Sequence, residues 1–164
     1  MITQEKLKEI LSYDPASGNF VRLVAPHNSV KVGDVAGTLH PEGYILIKVD
    51  GKRYRAHRLA WLYVHGVFPP DQIDHINGVR ADNRLSNLRP ATNAENQRNR
   101  GATANNKSGH KGVRWHPRDR KWLAQIALHG VQTHLGLFDD INDAIAAYAA
   151  GVAKYHGLEF GRTE

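Results

Sequence analysis

Asp74 and His75 stand side by side in this chain, and two amide side chains, Asn87 and Asn96, come 12 and 21 residues beyond the histidine. Successive side chains of a strand point to opposite faces. A flat strand therefore cannot turn both groups toward one partner. The pair must straddle a bend or serve two partners, for instance a metal ion and a water molecule. On residue types alone an ordinary reading is just as open, because Asp74-His75-Ile76-Asn77-Gly78 can be a strand that ends in an Asn-Gly turn.

The bulk composition narrows the setting. A chain of 164 residues is long enough for one moderate domain or two small ones, and 41% hydrophobic with 23% charged residues is ordinary for a packed core. With no cysteine there are no disulfides and no thiolate zinc sites. No apolar run is long enough to span a bilayer, and Met1-Ile2-Thr3-Gln4-Glu5 lacks a signal-peptide pattern, so a cytoplasmic setting is expected.

Local signals predict the secondary structure. Residues 3–11 have helical spacing behind a Thr3 cap. Strands are expected over Asn19 to Val24 and Gly43 to Val49, the second turning at Asp50-Gly51 into Lys52 to Arg55. A helix over 56–65 closes at Gly66, and Thr92-Asn93-Ala94-Glu95 reads as a capping box that puts Asn96 on the first turn of the next helix. After a small, polar linker come three short strands, Lys111–Trp115, Trp122–Leu128 and Gln132–Phe138. The last helix is capped by Asp140 or Asp143, carries the stripe Ile141, Ile145, Tyr148, Val152 and Tyr155, and ends at Gly157.

Phosphodiester hydrolysis requires an activated water, neutralised phosphoryl charge and a stabilised leaving oxygen. One divalent ion supplies the last two and a histidine the first. Asp74 and the Asn96 oxygen suit a hard ion such as Mg²⁺ or Mn²⁺, while His75 is left to take the proton and Asn87 to orient its ring, through the other ring nitrogen or a shared backbone contact. The wider stretch points the same way. His57-Arg58-Leu59-Ala60-Trp61, Ile73 to Gly78, Asp82-Asn83-Arg84-Leu85-Ser86-Asn87-Leu88-Arg89 and Thr92 to Asn99 closely resemble the HNH endonucleases of phage and homing type, over about residues 43–100. The resemblance implies an α+β, ββα-metal (His-Me finger) nuclease domain. His75 would be the general base, Asn87 its positioning residue, and Asp74 and Asn96 the ligands of one divalent ion. Many relatives have histidine where Asn96 stands; the amide favours Mg²⁺ or Mn²⁺ over later transition metals. Arg58 would touch a phosphate, support the site's loop or pack beside its helix.

Net charge is uneven. Residues 1–95 carry 12 basic and 10 acidic groups, residues 96–125 carry 8 and 1, and residues 126–164 carry 2 and 5. A basic middle interleaved with Trp115 and Trp122 suggests a polyanion-facing surface. Lys107 to Trp115, Lys121 to Ile126, Leu135 to Phe138 and Ala144 through Gly157 are similar to the AP2 DNA-binding domain, a three-stranded antiparallel sheet packed on one helix. That resemblance implies duplex DNA contact by Arg114, His116, Arg118, Gln125 and His134. The surrounding cations Arg98, Arg100, Lys111, Arg120 and Lys121 add phosphate contacts.

The sequence thus predicts an αβ extension over 1–42, an HNH domain over 43–100, a linker over 101–108 and an AP2-type domain over 109–164. The expected protein is a monomeric or weakly dimeric nicking endonuclease of double-stranded DNA without membrane association, in the host cytoplasm if phage-encoded. The alternative is a non-catalytic AP2-type regulator. RNA is disfavoured, since no stacking platform for single strands is evident.

Overall fold

Thr3 accepts a hydrogen bond from the Lys6 backbone N–H and so starts helix α1, Gln4–Ile10. In the computed structural model this helix runs straight into a short strand, β1 (Leu11–Tyr13), which pairs with β2 (Phe20–Arg22) and through it with β3 (Val35–Ala36). A second antiparallel sheet contains β4 (Thr38–Leu39), β5 (Ile45–Val49) and β6 (Lys52–Arg55). Its central hairpin turns at Asp50 (φ 47°) and Gly51 (φ 77°), the double positive-φ turn that an Asp-Gly pair favours. Helix α2 (Ala56–His65) comes next and ends at Gly66. Beyond it lie β7 (Gln72–His75), a 3-10 turn at Leu85–Asn87, β8 (Leu88–Ala91) and helix α3 (Asn93–Asn99). The described residues are 1–99, 101–102, 105–128 and 130–155. The expected roles of Arg100, His129 and Gly157 fall outside them.

The fold is mixed α+β. Contacts divide it into two units, Met1–Asn93 and Ala94–Glu164. The division comes at the start of α3, before the 101–108 segment. In the first unit, residues 1–42 do not stand apart as an extension but share one core with the remainder of the unit. Leu7, Leu11, Tyr13, Phe20 and Ala36 are buried with Ile47, Leu59, Leu62, Ile73 and Leu88.

In the second unit, β9 (Val113–His116), β10 (Lys121–Leu128) and β11 (Val131–Phe138) form an antiparallel sheet in the order β11-β10-β9, with helix α4 (Ile141–Tyr155) against it. Asp140 caps α4 by accepting from the Asn142 N–H at 2.6 Å, so of the two candidate caps it is the one used. Val113, Ala124, Ile126, Ala144, Tyr148 and Val152 make the core, with Trp122, Ile141 and Ile145 packed against it. The helical stripe does not extend to Tyr155, which is 41% exposed at the last turn and lies outside this core.

Candidate active site

The β7-β8 ribbon sets Asp74 directly opposite Arg89 and His75 opposite Leu88. Arg89 donates from Nε at 3.0 Å and from Nη2 at 2.8 Å, both to Asp74 Oδ2. The carboxylate is 5% exposed and the guanidinium largely covered, so this is a buried pair in which each charge compensates the other. Sequence reasoning did not single out Arg89. Its role depends on strand register, which becomes visible only once the ribbon is known.

His75 turns the other way along β7 and is equally buried. Its ring meets that of His57 edge-on with centroids 4.9 Å apart, and Tyr44 lies 6.2 Å away. His75 Nε2 lies 3.5 Å from Asn83 Oδ1. Burial pushes the imidazole below its usual range; the Asn83 contact and the charges of Asp74 and Asp82 act in the opposite direction. The ring is therefore neutral at physiological pH, the form a general base needs.

Of the two routes open to Asn87, the ring or the backbone beside it, its bonds follow the backbone. Its side chain accepts from the Asn77 N–H at 2.9 Å and donates to the Asp82 carbonyl at 2.8 Å, while its backbone oxygen accepts from the Ile76 N–H at 2.9 Å. It therefore ties both ends of the 76–87 loop together rather than bonding the His75 ring. The amide that faces the ring is Asn83, 3% exposed. His57, 4% exposed, was part of the resemblance but carried no role of its own; its Nδ1 has no hydrogen-bond partner and burial holds its pKa down to about 3. Arg58 donates to the carbonyls of Asp71 at 3.0 Å and Pro69 at 3.4 Å, so it braces the loop that leads into β7.

Comparison with known proteins fits this geometry. Residues 54–98, which contain the whole β7-β8 ribbon, match the family model described as HNH endonuclease. Protein 3.8 of Escherichia phage T7 is 34% identical over 112 residues, which cover 68% of this chain and 91% of that protein. The chain belongs to the HNH endonuclease family. A solved chain described as "DNA binding and cleavage by the HNH homing endonuclease I-HmuI" aligns with a TM-score of 0.42 and 20% identity, covering 85% of this chain and 78% of that one. That likeness is too low to argue from.

The remaining candidates of this HNH family member lie in its second unit. Asn96 sits half-buried in α3, as the capping box predicted. Among the described residues no group of three or more His, Cys, Asp or Glu is placed to hold a metal ion. The Lys111 ammonium donates to the carbonyls of Gln97 and Arg98 at the end of α3. A cation there satisfies open carbonyls and favours the negative end of the helix.

On the sheet, the register pairs Arg114 with Leu123, His116 with Lys121 and Gln125 with His134. By strand alternation these six lie on the face away from α4, whereas Trp122 and its partner Trp115 lie on the helix side. Arg114 and His134 are exposed, as are Arg118 and Arg120 in the β9-β10 turn. Two members are partly engaged: His116 Nδ1 lies 3.1 Å from Asp119 Oδ2 without hydrogen-bond geometry, and Lys121 pairs with Asp139 at 3.1 Å. Arg98 is half-buried, with its Nε unpartnered. Among the described residues no helix is long and apolar enough to cross a membrane.

Proposed function

We propose that this chain is a divalent-metal-dependent endonuclease that nicks duplex DNA, with His75 as general base and Asp74 and Asn96 holding one Mg²⁺ or Mn²⁺ ion. The observation that carries this reading is the division of labour within the Asp74-His75 pair. Both residues are buried, the first bound to Arg89 and the second a neutral ring beside His57 and Asn83. An ordinary strand end does not bury an acid and a base next to each other.

The donor set suits a hard cation. One carboxylate and one amide oxygen leave positions for water and phosphate, as Mg²⁺ sites commonly do. When bound, the ion supplies charge neutralisation at the phosphoryl group and the departing 3′ oxygen. The chain's own residues do the rest. His75 accepts a proton from the attacking water, Arg89 keeps the Asp74 carboxylate in one orientation, and Asn87 holds the loop after His75 in shape. The products are a 5′-phosphate and a 3′-hydroxyl end.

Residues 43–100 form the nuclease part in this reading, and 109–164, joined by 101–108, an AP2-type reader of duplex DNA. The outer face of the sheet carries Arg114, His116, Lys121, Gln125 and His134, with Arg118 and Arg120 at its turn. A ribbon of that kind fits the major groove, and its cations bring salt-dependent phosphate binding. A monomer with one such site nicks one strand, and dimerisation would make double-strand cuts possible. The family and the phage relative support action on DNA in a host cell cytoplasm.

The test is relaxation of supercoiled plasmid in Mg²⁺ or Mn²⁺, wild type against His75→Ala, with a chelator control. The expected result is nicked circles from wild type only, abolished by the chelator. Equal DNA binding by both proteins with relaxation by neither would favour the non-catalytic regulator.

A further inference from the structure

We propose that Asn83 is the positioning residue for His75, fixing its ring as the Nε2–H tautomer, and that the first strands of the chain exist in part to hold Asn83 in place. Asn83 Nδ2 donates to the Ala81 carbonyl at 3.0 Å, and a carbonyl can only accept. That bond fixes which end of the amide is which, and Oδ1 is left facing His75 Nε2 at 3.5 Å. An amide oxygen has no proton to give, so Nε2 must carry the hydrogen. In a neutral imidazole the lone pair then belongs to Nδ1. Nδ1 is accordingly the nitrogen that accepts a proton from water.

Asn83 is held from behind by residues distant in sequence. Tyr13 donates its hydroxyl to the Asn83 backbone carbonyl at 2.7 Å in a buried bond. Gly18, at φ +77°, lies so close that a Cβ there would sit 2.5 Å from the Asn83 carbonyl carbon and meet the Arg84 nitrogen. Leu85 N–H donates to the Pro15 carbonyl at 3.1 Å. Three contacts from residues 13–18 thus converge on 83–85. A loop that only linked β7 to β8 would not require the N-terminal hairpin to be moulded against one asparagine. The 3.5 Å separation is long for a hydrogen bond, as catalytic contacts often are before substrate closes the site.

This proposal rests on His75 being the general base, and its test separates the two claims. Full-length protein labelled with ¹⁵N-histidine, without metal, would be studied by long-range ¹H–¹⁵N correlation, with His75 identified by the signal missing in His75→Ala. The expected wild-type spectrum shows a protonated Nε2. In Asn83→Leu the ring should become a tautomer mixture, with plasmid nicking turnover falling about 10–100-fold and KM little changed. Asn83→Asp, which keeps an acceptor oxygen, should retain the Nε2–H ring and recover most of the turnover. A wild-type ring protonated on Nδ1 overturns the proposal, and that measurement stands even if Asn83→Leu fails to fold. An Asn83→Leu protein with an unchanged tautomer and turnover overturns it equally. Wild-type protein that holds the Nε2–H ring yet cleaves no DNA with Mg²⁺ or Mn²⁺ overturns the endonuclease reading, and with it the catalytic half of this one.

Discussion

The Tyr13 hydroxyl donates a 2.7 Å hydrogen bond to the backbone carbonyl of Asn83 across 70 residues of sequence. Both partners are buried, and burial pushes the phenol pKa up to about 12, so the hydroxyl keeps its proton throughout the working range. Tyr13→Phe keeps the ring packed on Phe20 and Tyr63 but leaves a buried carbonyl unsatisfied. The expected cost is about 1–3 kcal/mol, measured by urea denaturation.

Gly18 meets the same loop through its backbone. Gly18→Ala places a methyl group against the Asn83 carbonyl and imposes a positive φ on an alanine. Because backbone, not a flexible side-chain tip, is what the methyl meets, relief requires the 83–85 segment to move. The variant should lose about 1–3 kcal/mol of stability from backbone strain alone, with nicking turnover falling as well. Gly33→Ala serves as the control: it also has a positive φ (92°) but nothing within 4 Å, so it should lose stability while keeping turnover.

Helix starts and hairpin turns were legible in the sequence because single residues determine them. Thr3 caps α1 and Asp50-Gly51 makes the turn, as their chemistry requires. Of the β1-β2-β3 layer only β2 was, inside the strand expected over Asn19 to Val24; β1 and β3, with three and two residues, are too short to show a period. The site divides similarly. Asp74 and His75 were readable as an adjacent pair of chemically suited groups. Arg89 and Asn83 were not, because one depends on strand register and the other on the path of an irregular loop. Asn87 was recognisable by resemblance, but which of its two routes it takes, ring or backbone, is read only from the loop's path. Lys111 looked like one more cation of the basic stretch until its carbonyl partners at the end of α3 were seen.

Arg89 compensates a carboxylate that has lost nearly all its water. Arg89→Ala would take a cation and two hydrogen bonds from the buried Asp74 carboxylate, at an expected cost of about 3–5 kcal/mol by chemical denaturation. Arg89→Lys retains the charge but not the double hold on Oδ2, so it should recover much of the stability. If Asp74 holds the ion as proposed, nicking activity should stay about 10–100-fold below wild type, the usual effect of removing a residue that orients a metal ligand.

His57 gives stability a pH dependence of known sign. In the folded chain it is protonated only below about 3, chiefly because of burial and then because of neighbouring His75, whereas its ordinary value is 6.5. Between those values the unfolded chain binds the extra proton. Stability from this residue is therefore complete above 6.5 and is lost as pH falls toward 3. His57→Phe keeps an aromatic ring against Tyr44 and His75 while removing the titration. Relative to wild type it should gain about 1.5 kcal/mol between about pH 6.5 and about pH 5, the slope rising toward about 1.4 kcal/mol per pH unit for one proton. Denaturation curves at the two pH values decide it, and parallel pH profiles would show that His57 is not the titrating group.

Two cations three residues apart should behave oppositely on DNA. Arg114 is exposed on the sheet face away from α4, and Lys111 is bonded to the carbonyls that end α3. If the sheet meets phosphates, Arg114→Ala should weaken duplex binding and flatten the plot of log affinity against log salt by about one unit of slope, the signature of one lost phosphate contact. Lys111→Ala should leave the salt slope alone and instead lower thermal stability, because the carbonyls of Gln97 and Arg98 lose their cation. Fluorescence anisotropy with a labelled duplex over a salt series distinguishes the two. An unchanged slope in Arg114→Ala, alongside a reduced one in Lys111→Ala, would move the DNA-binding surface from the sheet to the end of α3.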